Sequence, residues 1–206
     1  MQPVPWWARL SAAGAPVLLI GGWTVAAARQ PAGFSSVTDT ISALAAQGAT
    51  DRWLMTSALA GLGICHAVTA LGLRPAALPG RATLAAGGIA TFCVAVFPQP
   101  ETGSSPAHVR AATAGFLALA VWPALAWRRG RRRPRLSPPA GAAAAAVLTG
   151  IVVWFGAELA GDGALIGLSE RAAAGAQAVF PLGVVLTWLL QARAAAARQS
   201  AGQTSG

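Results

Sequence analysis

The stretch AGAAAAAVLTGIVVWFGAELA, residues 140–160, contains one charged residue, Glu158. A run of roughly 20 predominantly apolar residues is long enough, as an α-helix, to cross about 30 Å of bilayer hydrocarbon. A helix that is apolar on every side is buried in a large core or in a membrane. This stretch therefore predicts a membrane-spanning helix.

The rest of the chain has the same character. Of its 206 residues 55% are hydrophobic and 10% are charged, whereas about a quarter of the residues of a soluble domain are charged. We therefore predict an all-α fold: a polytopic membrane protein whose residues 1–195 form one six-transmembrane-helix bundle, followed by a polar tail at 196–206. The spans are predicted at about 9–28, 53–73, 81–98, 109–127, 140–160 and 172–191.

The positive charge of the chain is placed as in a membrane protein. A net charge of +9 would also suit a nucleic-acid partner, but the basic residues are scattered between apolar segments except for one run, RRGRRRPR at Arg128–Arg135. We predict no nucleic-acid binding. The run is expected to attract anionic lipids of the inner leaflet, and the bilayer itself is the predicted partner. The sequence identifies no protein partner.

Arginine placement also predicts orientation, because cytoplasmic loops carry an excess of Lys and Arg. With the N-terminus inside, eleven arginines fall on the cytoplasmic side and four (Arg29, Arg52, Arg110 and Arg171) on the outer side. All six acids then lie on the outer side or within a turn of it. The protein is expected in a cytoplasmic membrane with both termini inside. All fifteen basic residues are Arg and Ala is abundant, which suggests a GC-rich bacterial coding sequence and hence a bacterial membrane. The alternative, in which the first span is a cleaved signal peptide, leaves the remaining topology unchanged.

The polar stretch GFSSVTDTISALAAQGATDRW, residues 33–53, becomes the first outer loop in this topology. Its part 36–48 predicts a short helix, capped by Ser36 or Thr38 and ended by Gly48. Such a helix would rest on the bilayer surface or cover the outer mouth of the bundle.

Two stretches resemble the bacterial membrane family called domain of unknown function 998 (DUF 998). The first is the outer loop with the second span, in which Asp39, Ile41, Ser42, Leu44, Arg52 and Trp53 match the family pattern. The second is FPQPETGSSPAHVRAATAGF, residues 97–116, in which Phe97, Pro98 and His108 match. The Gly that commonly follows this His is Val109 here, and the acid after Phe-Pro is displaced to Glu101. The resemblance covers about residues 10–195 and implies six transmembrane helices without an established chemistry.

The candidate site residues collect at the outer side. The catalytic candidates are Asp39, Ser42, His108 and Glu158, and the ligand-binding candidates are Arg52, Glu101 and Arg110. An ionisable group within a span, such as Glu158, is costly unless it is paired or functional. The alternative for Glu158 is a salt bridge to Arg110 or Arg171.

Three classes of function stay open. The preferred one is an outward-facing polar site that binds a lipid headgroup or a small amphiphile. The second is a lipid hydrolase or transferase with Ser42 as nucleophile, His108 as base, and Asp39 or Glu158 orienting the base. In the competing interpretation, His108 only caps a helix or bonds a loop. A small permease or a non-catalytic accessory subunit is the third.

No cofactor or metal is predicted. A zinc site would need carboxylates for most of its ligands, since the chain has two histidines. His66 and His108 lie at different depths and cannot share a haem. His66 is interpreted as a buried residue bonded to a Thr or a backbone carbonyl of a neighbouring span. Cys65 and Cys93 are interpreted as small hydrophobic residues.

Overall fold

The helices follow from apolar length and from the prolines and hydroxyl groups at their ends. The computed structural model describes residues 4–127 and 137–203, and Arg128–Arg135 with its predicted lipid contact lies outside them. Within the described residues there are seven helices and no strand. They are α1 Trp6–Ala27, α2 Ile41–Leu44, α3 Trp53–Gly72, α4 Leu78–Val96, α5 Pro106–Leu125, α6 Pro138–Ala160 and α7 Ile166–Gln203.

Proline and serine determine where several helices begin. Pro106 and Pro138 occupy the first turns of α5 and α6, where a missing N–H costs nothing. Ser105 and Ser137 precede them, and each side chain accepts a hydrogen bond from a backbone N–H of the first turn. Pro98 follows the end of α4, as expected of a residue that disfavours helical conformation in its predecessor.

Six of the helices, all except α2, are long and apolar enough to cross a membrane. Each overlaps one predicted span, and together they form the expected six-helix membrane bundle. Along the bundle each long helix packs against the next in the chain, and α7 closes the ring by packing against α1. The chain is therefore an integral membrane protein of the multi-pass kind.

The lateral surface of the bundle, which faces lipid, is apolar, as a surface in contact with lipid must be. Leu10, Val17, Ile64, Val153 and Leu190 are each more than half exposed. The interior is held by close contact and by polar bonds between helices. Ser11 Oγ lies 2.8 Å from Thr69 Oγ1 between α1 and α3, and Gln177 Nε2 donates to Phe116 O at 2.8 Å between α7 and α5.

The last helix differs from the prediction in length. It continues to Gln203, through most of the segment predicted as a polar tail. Trp188, which the sequence places near a span end, is 5% exposed and belongs to the interior cluster. The helix continues because residues 192–198 are mainly alanine and arginine, which have high helix propensity.

Candidate functional site

One end of the bundle is closed by a loop. The connections 28–52, 97–105 and 161–165 meet at this end, which we call the site end, and residues 28–52 are called the capping loop. Ile41, Leu44 and Ala45 of the capping loop are at most 2% exposed, and they pack into an interior cluster with residues of α1, α3 and α4. The capping loop therefore covers the mouth of the bundle, which is the second of the two predicted positions.

The short helix of the capping loop begins later than predicted. Neither Ser36 nor Thr38 caps it; the cap is Thr40, whose side chain accepts a hydrogen bond from Ala43 N at 3.0 Å. Residues before Thr40 form a turn in which Asp39 Oδ2 accepts from Ser35 N at 2.7 Å. An Asp side chain that binds nearby backbone competes with helix formation, so the helix begins only at Ile41. It ends at Leu44, before the predicted end at Gly48.

Ser42 and His108 are in contact. The Nε2 atom of His108 lies 3.1 Å from Ser42 Oγ, within hydrogen-bond reach, although 66 residues separate them. His108 Nδ1 lies 2.9 Å from Phe97 O. Because a carbonyl oxygen only accepts, Nδ1 carries a hydrogen and donates it. His108 is 3% exposed. Asp39 and Glu158 were predicted to orient its ring, but neither carboxylate forms a hydrogen bond to it. The Phe97 carbonyl orients the ring instead.

Glu170 completes the contact on the other side of Ser42. Its Oε1 lies 3.0 Å from Ser42 Oγ, and its Oε2 accepts from Ile41 N. The carboxyl group comes from the first turns of α7 and is 4% exposed. Thus α7, the capping loop and α5 meet at three side chains, Glu170, Ser42 and His108, which we call the polar cluster.

The side chain of Arg171, the residue after Glu170, binds backbone carbonyl groups of the capping loop. Its Nη1 lies 2.8 Å from Ser36 O, 2.7 Å from Asp39 O and 3.0 Å from Gly167 O. Leu168 N also donates to Val37 O at 3.0 Å. These bonds place the start of α7 directly against residues 36–39.

Glu158 lies apart from the polar cluster. Its Oε2 accepts from Leu165 N at 2.9 Å and its Oε1 from Trp154 Nε1 at 3.3 Å. Within the described residues it forms no ion pair with Arg110 or Arg171, so the salt bridge considered above is wrong. Glu158 instead closes the turn between α6 and α7.

The predicted ligand-binding residues lie at the rim. Arg52, Glu101 and Arg110 are exposed, and no hydrogen bond within the described ranges joins any of them to the polar cluster. Glu101 lies against the backbone of Gly48, and Gln47 N donates to Gln99 O at 2.9 Å, so the 97–105 loop packs beside the capping loop.

His66 differs from its interpretation. It is 1% exposed, and neither ring nitrogen has a hydrogen-bond partner among residues 4–127 and 137–203. The predicted bond to a Thr or carbonyl is therefore not made there. Cys65 and Cys93 are free and half-buried, and in the described part of the chain no three His, Cys, Asp or Glu side chains are grouped closely enough to share a metal.

A cavity of about 60 Å³ lies beneath the capping loop. Ser42 and Glu170 line it from the site end, and Thr91 and Gln177 are its other polar residues. Apolar side chains form the remaining wall, among them Leu19, Leu62, Phe116 and Leu119. Among the described residues that line it there is one acid, Glu170, and no base.

The sequence did not single out Glu170 as a site residue, although it placed that acid at the outer side. In the sequence Glu170 lies just before the predicted span 172–191, where a charged side chain is expected at a membrane surface. The available signal was the shortage of acids, since a chain with six has few to place without purpose.

A six-helix membrane bundle closed at one end over a polar cluster defines the class of this protein. Its residues 12–187 match the model of the family described as Protein of unknown function (DUF998), so the chain belongs to that family. No curated protein and no solved structure matches the chain.

Proposed function

We propose that this protein binds a lipid headgroup or small amphiphile at the site end, with the polar head beneath the capping loop. The observation that supports this most is the cavity, in which Ser42 and Glu170 face a mainly apolar wall. Ligand sites combine such a wall with a few polar groups that fix orientation. At roughly 10–15 Å³ for each water-sized group, a cavity of about 60 Å³ has room for a small polar head.

The polar residues of the cavity favour a head that donates hydrogen bonds. Glu170 is an acid with no basic residue beside it on the described cavity wall, and the Thr91 hydroxyl donates to Gly87 O at 2.9 Å, which leaves its lone pairs available. Phe116 adds an aromatic ring that attracts cations. A hydroxyl or ammonium head therefore suits the cavity better than a phosphate or a carboxylate.

This proposal is tested with amphiphiles that share one chain length and differ in the head. The purified protein in a neutral detergent is melted with an alkylamine, the matching alcohol or the matching fatty acid. A ligand that binds the folded state raises the melting temperature with concentration. We expect the amine and the alcohol to do so and the fatty acid to have little effect.

Two variants control this experiment. Glu170→Gln is expected to reduce the shift produced by the amine, whereas Asp162→Asn, which changes an exposed acid in the 161–165 connection, is expected to preserve it. Equal shifts from the amine and the fatty acid, or none from any amphiphile, would contradict the proposal.

The proposed location is a bacterial cytoplasmic membrane, with both termini in the cytoplasm and the site end outside. Support comes from the arginines, of which eleven fall on one side and four on the other. In this orientation the polar head would be drawn from the outer leaflet.

A second candidate function is acyl transfer or hydrolysis of a lipid ester, favoured by the 3.1 Å contact of Ser42 Oγ with His108 Nε2. Ser42 would attack the ester carbonyl while its proton passes to Nε2, and the departing alcohol would take that proton. Water or a second alcohol would then release the acyl group. A serine-directed fluorophosphonate is expected to label Ser42 in the wild type. It is expected to label the His108→Gln variant at less than about a tenth of the wild-type rate. Labelling that persists in Ser42→Ala would remove this candidate.

A further inference from the structure

The polar cluster contains two hydrogen-bond contacts at Ser42 Oγ. If Glu170 is ionised and His108 is neutral, only one hydrogen is available for these two contacts. Ser42 Oγ carries one hydrogen and lies 3.0 Å from Glu170 Oε1 and 3.1 Å from His108 Nε2. An ionised carboxylate only accepts, and so does the unprotonated nitrogen of a neutral imidazole. The hydrogen of Ser42 can serve one of the two contacts.

The tautomer of His108 is fixed by its other nitrogen. Nδ1 lies 2.9 Å from Phe97 O and must donate to it. A neutral His108 therefore presents a lone pair at Nε2. With Glu170 ionised and His108 neutral, one of the two contacts of Ser42 would place lone pairs against each other inside the protein.

One additional proton removes the conflict in either of two ways. In the first arrangement Glu170 is protonated and donates to Ser42 Oγ, and Ser42 donates to His108 Nε2. In the second arrangement His108 is an imidazolium whose Nε2 donates to Ser42 Oγ, and Ser42 donates to the Glu170 carboxylate. The two arrangements have the same total charge and differ only in where two hydrogens lie.

We infer that Glu170, Ser42 and His108 together bind one shared proton and form a relay between the carboxyl group and the imidazole. In the transfer, the O–H bond of Glu170 breaks as Ser42 Oγ gains that hydrogen, and the original O–H bond of Ser42 breaks as its hydrogen passes to His108 Nε2. Two bonds to hydrogen break and two form, and no other covalent bond changes. The inference rests on the hydrogen bonds alone and does not require the proposed ligand.

Burial favours a proton that is retained, because with that proton the three side chains carry no net charge, whereas the positive charge of Arg171 acts in the opposite direction. Glu170 and His108 are 4% and 3% exposed. Arg171 from α7 and Asp39 from the capping loop are the nearby charged side chains, while Glu101 and Arg110 are exposed at the rim. The residues that line the cavity from α1, α3 and α4 (Leu19, Leu59, Leu62, Thr91 and Val94) do not titrate in the physiological range.

The shared proton also holds three parts of the molecule together. Glu170 belongs to α7, Ser42 to the capping loop and His108 to α5, and His108 is bonded in turn to Phe97. Removal of the proton at alkaline pH leaves one contact of Ser42 without a hydrogen, so the capping loop loses a bond on one side.

The test measures both protonation states in the full-length protein reconstituted in lipid. Nitrogen NMR of isotope-labelled histidine reports His108, with His108→Gln to assign its signal against that of His66. Infrared difference spectroscopy reports a protonated carboxyl group, with Glu170→Gln to assign it. We expect the two occupancies to add up to one proton over the pH range in which the capping loop is closed. Finding both groups unprotonated there, or both protonated, would overturn the inference.

Matched serine variants test the relay itself. In Ser42→Ala the occupancies of Glu170 and His108 are expected to lose their reciprocal relation, because the bridging hydroxyl is gone. Ser42→Thr keeps the hydroxyl and should keep the relation. Ser169→Ala removes a buried hydroxyl one residue from Glu170 that bonds only to Ile166 O within the described residues, and it should behave as the wild type does. Should Ser42→Ala fail to fold, the occupancies of the wild type still decide the matter.

Discussion

Gly167 allows the backbone of α7 to touch the backbone of the capping loop. A Cβ atom added at Gly167 would lie 2.3 Å from Asp39 O and 2.8 Å from Ser36 O. Both atoms are backbone oxygens bound by Arg171, so neither can turn aside as a side chain would. The contact therefore requires glycine.

Gly167→Ala is expected to destabilise the protein by about 1–3 kcal/mol, the usual cost of overpacking. Gly156→Ala is the control, because a Cβ atom there meets nothing within 4 Å and alanine in a helix gains about 0.5–1 kcal/mol over glycine. Melting of both variants in detergent measures the difference. A Gly167→Ala protein as stable as the control would mean that the capping loop is not held against α7.

At the residue scale, the sequence predicted which residues belong to the site better than it predicted which residues contact one another. The sequence predicted a Ser–His pair, and the two atoms lie 3.1 Å apart. It assigned the neighbouring acid to Asp39 or Glu158, and Asp39 lies three residues before Ser42 on a helix that was expected to include both. Asp39 binds its own turn instead, and the acid beside Ser42 is Glu170, 128 residues away in the chain. Periodicity within one segment carries no information about such a distant partner.

At the element scale, Arg171 is one of two α7 side chains, with Glu170, that attach the capping loop to α7 within the described residues. Nη1 of Arg171 contacts three carbonyl oxygens within 3.0 Å, two of them in the capping loop. Hydrogen bonds from a charged donor contribute about 1.5–3 kcal/mol each. Removing Arg171 therefore favours a state in which residues 36–39 separate from α7.

In Arg171→Ala the equilibrium between the closed and the open capping loop is expected to shift at least about tenfold toward the open state. Each 1.4 kcal/mol changes an equilibrium constant tenfold. Ala45, 2% exposed when the loop is closed, is replaced by Cys in a protein whose Cys65 and Cys93 are Ala. The rate of maleimide modification at position 45 reports opening. Arg110→Ala, which removes an exposed arginine at the rim, is the control, and equal rates in the two variants would contradict the expectation.

The elements themselves differed in how well the sequence predicted them. The six long helices are defined by apolar length, a property that lipid selects and that each segment carries by itself. The boundaries of α2 depend on whether Asp39 binds the backbone of Ser35 or joins the helix. That competition is decided by contacts with α7, so Thr40 as the cap became visible only in the assembled protein.

At the scale of the whole molecule, the site end collects loops that carry most of the acids. Asp51 and Glu101 lie in two different connections at that end, whereas Ser200 lies near the far end of α7. Single cysteines at these three positions, in the chain without Cys65 and Cys93, therefore report the orientation of the bundle.

An impermeant maleimide added to intact cells is expected to label Asp51→Cys and Glu101→Cys, and to label Ser200→Cys only after the membrane is opened. The reason is the arginine excess at the opposite end. Labelling of Ser200→Cys alone in intact cells would reverse the proposed orientation, and with it the leaflet from which a ligand enters.

The 38 residues of α7 have a practical consequence for imaging. At about 1.5 Å per residue the helix is roughly 57 Å long, nearly twice the thickness of the hydrocarbon that it crosses. Its far end therefore projects well beyond the lipid as a continuous rod. A second protein can be fused to that rod through its own first helix, in register, and would then move rigidly with the bundle. It would supply the mass that a 206-residue chain lacks for particle alignment in electron cryomicroscopy.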